Sequence, residues 1–226
     1  MNEIGKGRRG LKKQVLSLLE SADLDNALIQ LCKIPGRRVI NPLFSFLLHE
    51  DEKVRWSAIT AMGAVVDNMA HTDMESARTI MRRLMWSLND ESGGIGWGAP
   101  EAMGEIMARN ERLAEEFASI LVSYLDEDGN FLEYEPLQRG LLWGLVRLAG
   151  MRPALVREAG SHLPKYLESA DPIVRGLAAW AAGILGVSGV GSRLRELTED
   201  SAVIRLYIDT EFVNCSVGDI ARLALK

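Results

Sequence analysis

The residues best equipped for chemistry sit in one short stretch. Asn89, Asp90, Glu91, Glu101 and Glu105 supply an amide and four carboxylates around Gly93, Gly94 and Gly96, with an indole at Trp97. Glycines cost helix stability, and Pro100 removes a backbone bond unless a helix begins close to it. The spacing therefore predicts a glycine loop, then a helix starting near Ala99 with Pro100 in its first turn. Free backbone N–H groups and surrounding acids would make a clamp suited to a basic peptide, an amine or a divalent cation. The run GGIGWG is not a phosphate fingerprint, because no strand precedes it and no Lys-Ser/Thr pair follows.

Other chemistries find little material. His49, His71 and His162 are isolated from one another, and no nucleophile, base and orienting group can be assembled around them. Cys32 and Cys215 lie near opposite ends of the chain and fit neither a disulfide framework nor a metal cluster. No cofactor is expected. A metal has an opening only among Asp90, Glu91, Glu101 and Glu105, and its identity is not specified.

The elements that must position these residues follow from composition and pattern. With 226 residues, 47% hydrophobic and 25% charged, the chain has ordinary globular usage and enough length to bury a core. A net charge of −5 argues against a nucleic-acid backbone binder, which needs a basic face. The charge is uneven: Lys6, Arg8, Arg9, Lys12 and Lys13 cluster at the start, whereas residues 90–135 hold twelve acids against Arg109 and Arg112. The first reads as a solvated basic tail and the second as a solubilising face. No secretory h-region or membrane-length apolar run occurs, so a cytoplasmic, membrane-free protein is expected.

An internal repeat organises the chain. DEKVRWSAITAMG at 51–63 aligns without a gap on DPIVRGLAAWAAG at 171–183, giving D-x-x-V-R-x-x-A-x-x-A-x-G. SGGIGWGAPEAMG at 92–104 and YEPLQRGLLWGLV at 134–146 are degenerate copies, with starts about forty residues apart. Apolar residues at offsets 0, 4, 7 and 11 line one helix face, while small Ala and Gly positions let a neighbouring helix approach. Periodic partner segments lie between the copies: RVINPLFSFLLHE, MESARTIMRRLMWSL, ERLAEEFASILVSYL and PALVREAGSHLPKYLES.

Each copy resembles the second helix of a HEAT or bilin-lyase-type HEAT-like repeat, over roughly residues 36–200. The resemblance implies an all-α, right-handed α-α superhelix, a HEAT-like solenoid, as a single domain over 1–226. Residues 1–35 would form N-terminal cap helices and 36–200 four to five hairpins. Residues 201–226 would form a C-terminal cap in which AVIRLYIDTEFVNC makes a small β-hairpin, and Ser216 and Asp219 a capping box for a last helix.

In such arrays second helices line the concave surface. Trp56 and Trp97 share one repeat position, and Trp143 and Trp180 another four residues on, so one inner stripe would carry all four indoles. Thr60, Glu101, Glu105 and Arg139 complete it; the alternative is that the indoles wedge between helices as core. Trp86, in a first helix, is expected to be core.

These readings lead to a binding scaffold with a tryptophan-lined, centrally acidic groove for a protein segment or a small cationic ligand. One alternative is a small-molecule or metal-assisted enzyme centred on 89–105. Another is DNA repair, since the aromatic row is similar to that of HEAT-like DNA glycosylases, although the inner face lacks their Lys and Arg density. A di-iron hydroxylase of the deoxyhypusine type needs several His-Glu pairs, and His49-Glu50 is a single one.

Overall fold

The computed structural model describes residues 3–88 and 96–226. It is 71% helical, and the regular structure that remains among the described residues is one two-stranded antiparallel hairpin. Contacts divide the chain into two compact units, Met1–Asn110 and Glu111–Lys226.

In the first unit α1 (Glu3–Leu19) and α2 (Leu24–Lys33) precede two helical pairs, α3 (Gly36–Phe46) with α4 (Glu52–Ala70) and α5 (Met74–Leu88) with α6 (Ala99–Arg109). The second helices of these pairs, α4 and α6, pack along one another. Both are buried on most sides, which is why small residues dominate them: Ala58, Ala61, Ala102 and Ala108 are all within 2% of full burial. Gly63, the last residue of the repeat motif, marks the closest approach. A Cβ there would lie 2.6 Å from Glu105 Cγ and 3.1 Å from Arg109 Cδ on α6.

In the second unit α7 (Glu111–Ser123) leads to α8 (Glu135–Met151), and α9 (Leu163–Tyr166) to α10 (Pro172–Leu185). Here too the second helices, α8 and α10, pack together. The segment 153–169, expected as one helix, is instead a 3-10 helix at Pro153–Ser161 with a non-helical Val156, followed by the four-residue α9. Pro153 and Pro164 explain the break, since each fixes φ and suits the start of a helix rather than its interior.

After α11 (Gly191–Leu197) come β1 (Val203–Ile208), β2 (Glu211–Ser216) and α12 (Val217–Ala224). The hairpin turns through Asp209 and Thr210, both at positive φ, and pairs Val203 with Ser216 through Ile208 with Glu211. Ser216 and Asp219 form the capping box of α12. Two glycines of α10 set how this cap sits: a Cβ on Gly176 would meet Ile204 Cδ1 at 2.7 Å, and one on Gly183 would meet the Ala224 Cα at 2.5 Å.

The D-x-x-V-R motif has a local cause in both units. Asp51 Oδ1 accepts from the backbone N–H groups of Lys53 and Val54, and Asp171 Oδ1 from those of Ile173 and Val174. Each caps its helix. Four residues on, the arginine reaches back over the preceding turn: Arg55 donates to the His49 carbonyl and Arg175 to the Ser169 carbonyl, both six residues upstream. In the degenerate copy Gln138 does the same, its Nε2 donating to the Leu132 carbonyl at 2.9 Å.

Candidate functional site

The 92–104 copy departs from the other three. The position of the clamping arginine is Gly96, and the cap position of its helix is Gly98, at φ 75° and with no side-chain cap. Both glycines are required sterically. A Cβ on Gly96 would stand 2.7 Å from the Ser87 carbonyl oxygen, and one on Gly98 3.1 Å from Leu47 Cβ. The turn is thus pressed against the ends of α5 and α3, and Gly98 adopts a left-handed conformation that L side chains resist. Trp97 lies between these glycines and is 39% exposed.

The helix that follows starts at Ala99 with Pro100 in its first turn. Its third residue, Glu101, is the electrostatic anomaly of this unit. The residue as a whole is half-buried, yet its Oε2 is buried and has no hydrogen-bond partner among the described residues. Burial pushes the carboxyl up to about 7, against the weaker opposing pulls of its own backbone N–H and of the Arg55 charge on α4. Near neutral pH Glu101 therefore hovers between acid and carboxylate. It occupies the repeat position of Thr60, Trp143 and Trp180.

Thr60 and Glu105 are not on an open face. Thr60 is 4% exposed, and its hydroxyl donates to the Trp56 carbonyl one turn back, the usual way a buried threonine satisfies itself in a helix. Glu105 is 3% exposed and accepts from Arg109 Nε at 2.6 Å. It fills the space that Gly63 leaves on α4. Trp56 is half-buried on the same helix. Asn89, Asp90 and Glu91 lie outside the described residues.

In the second unit Trp143 is 8% exposed, and its Nε1 donates to the Tyr207 carbonyl of β1 at 2.8 Å. It is packed under the hairpin, as the core alternative has it, rather than lining a groove. Arg139 Nε donates to Asp171 Oδ2 at 2.5 Å, tying α8 to the cap of α10. Arg175 makes the next such tie, to Asp200 Oδ2 at 2.7 Å. Trp180 is half-buried on α10. The expectation for Trp86 is overturned outright: it is 74% exposed on α5, whose buried stripe runs through Ala77, Ile80, Met81 and Leu84 instead.

Groups of three or more His, Cys, Asp or Glu able to hold a metal are absent among the described residues. Burial raises the thiols of Cys32 and Cys215, which disfavours the reactive thiolate. No described helix is long and apolar enough to cross a membrane.

The chain is 30% identical over 181 residues to an uncharacterized protein of Archaeoglobus fulgidus, an alignment covering 79% of this chain and 91% of that protein. No family model matches the sequence. Among solved structures, a designed armadillo repeat protein in complex with the peptide (KR)4 superposes with a TM-score of 0.52 at 20% identity, covering 95% of this chain and 98% of that one. An engineered protein gives 0.54 at 17% identity, covering 96% and 95%.

Proposed function

The chain belongs to the family of that Archaeoglobus protein and shares the fold of armadillo-like helical repeats, and from this premise we propose that it is a binding scaffold whose first unit holds a basic protein segment. The observation that carries the reading is Glu101, a buried carboxylate with an oxygen left over, at the start of α6 beside the exposed Trp97. Leaving such a group without a partner costs stability, and an incoming lysine ammonium or arginine guanidinium supplies what it lacks. Trp97 offers the aliphatic stem of that cation a broad, rigid surface.

The designed armadillo protein with its (KR)4 peptide motivates the choice of a basic peptide over a small cation. Asp90 and Glu91 add acidic residues close in sequence. A cytoplasmic setting belongs to the same proposal. Isothermal titration of an alternating Lys-Arg peptide tests it. The wild-type protein is expected to bind saturably, and both Glu101→Gln and Trp97→Ala to weaken binding about tenfold or more, the scale of one charge-assisted contact or one aromatic anchor. Binding unaffected by either substitution overturns the proposal.

A further inference from the structure

The basic N-terminal cluster is not a free tail: it lies on α1, which packs against α3. Between these helices is an open cavity of about 640 Å³, a size suited to a small organic ligand. Leu11 and Pro42 give it apolar walls, and Lys12, Arg37, Arg38 and Asn41 give it polar ones. Among the described residues no carboxylate lines it.

The cations differ in how far they are committed. Arg37 is neutralised by Asp73 Oδ2 at 2.6 Å. Lys12 stands 5.2 Å above the Phe46 ring, a contact that leaves N–H donors of its ammonium on the side away from the ring. Arg38 is exposed and has no ion-pair partner among the described residues. Asn41 Oδ1 accepts from Arg83 Nη1 at 2.6 Å, and Arg83 is itself seated over the Phe44 ring. With its oxygen engaged by Arg83, the Asn41 amide keeps its N–H donors for a further partner.

We infer that this cavity binds a small organic phosphate monoester, with Arg38 and Lys12 holding the phosphoryl oxygens, Asn41 donating a further hydrogen bond, and the organic part lying against Leu11 and Pro42. A dianionic phosphoryl group matches two uncommitted cations, and a guanidinium can meet two of its oxygens at once. The site is on a different pair of helices from Glu101 and stands or falls separately from it.

Calorimetric titration with phenyl phosphate tests the assignment, with phenol, inorganic phosphate and chloride at matched ionic strength as comparisons. Saturable binding of phenyl phosphate, weaker binding of inorganic phosphate and none of phenol are expected. The exposed pair Lys12→Gln with Arg38→Gln should weaken phenyl phosphate at least tenfold at unchanged helicity, whereas Arg195→Gln on α11 should change nothing. Equal binding by the double variant, equal response to chloride, or no saturable binding would each reject the site. So would sedimentation with vesicles of phosphatidic acid and phosphatidylcholine in the absence of phenyl phosphate binding, which would make the cations a membrane patch.

Discussion

Glu101 makes the sharpest statement at the scale of single residues. A carboxyl raised to about 7 in the folded state and ordinary in the unfolded chain binds more protons folded than unfolded between those two values. Stability is then fully present below the unfolded value and declines as pH rises through about 7. Glu101→Gln removes the ionisation, so its stability should stay level over that range and exceed the wild type at pH 8 by up to about 3 kcal/mol. Urea unfolding of both proteins at pH 5 and pH 8 checks this. The glycines give a second residue-scale test. Gly183→Ala drives a Cβ into the Ala224 backbone, which cannot yield, whereas Gly63→Ala meets the side chains of Glu105 and Arg109. Both should destabilise, by about 1–3 kcal/mol, with Gly183→Ala the worse of the two in thermal melts.

At the scale of elements, the caps and ties explain why the repeat motif has the form it does. Asp171 both caps α10 and accepts from Arg139. Asp171→Ala should cost about 1 kcal/mol from the cap and more from the lost tie, while Asp171→Asn should keep most of the cap and lose only the charge. Chemical denaturation of the two variants separates the contributions. Trp143→Phe should leave the buried Tyr207 carbonyl without its donor, costing about 1–3 kcal/mol, and speed amide exchange in β1.

Much of this scale was legible in the sequence. The second helices of the pairs, the late start of α6, the hairpin and the capping box all follow from turn chemistry and small-residue spacing. What was hidden depends on partners far away in the chain. Trp143 is packed because β1 returns to it from residue 207, and no local pattern announces that. Glu105 is buried because Gly63 on another helix makes room. Trp86 misled because its helix turns a different stripe inward. Gln138 keeps the arginine clamp by hydrogen bonding rather than charge, a signal available in the alignment of the copies once the clamp's geometry is known.

At the scale of the whole molecule, the net charge of −5 favours encounter with a basic segment, and that favour is screened by salt. Affinity for the Lys-Arg peptide should fall as sodium chloride rises from about 0.05 to 0.5 M, chiefly through slower association, as stopped-flow tryptophan fluorescence would record. Because a cation prefers the ionised carboxylate, binding should also be about tenfold tighter at pH 8 than at pH 6, the change in ionised fraction for a group near 7.

The central claim, that the first unit holds a carboxylate waiting for a positive partner, is tested most directly by following the Glu101 side-chain carbon through a pH titration by NMR. The account predicts a midpoint near 7 in the free protein and a clear fall when the Lys-Arg peptide is added. A midpoint in the ordinary carboxylate range, or one that the peptide does not move, contradicts it.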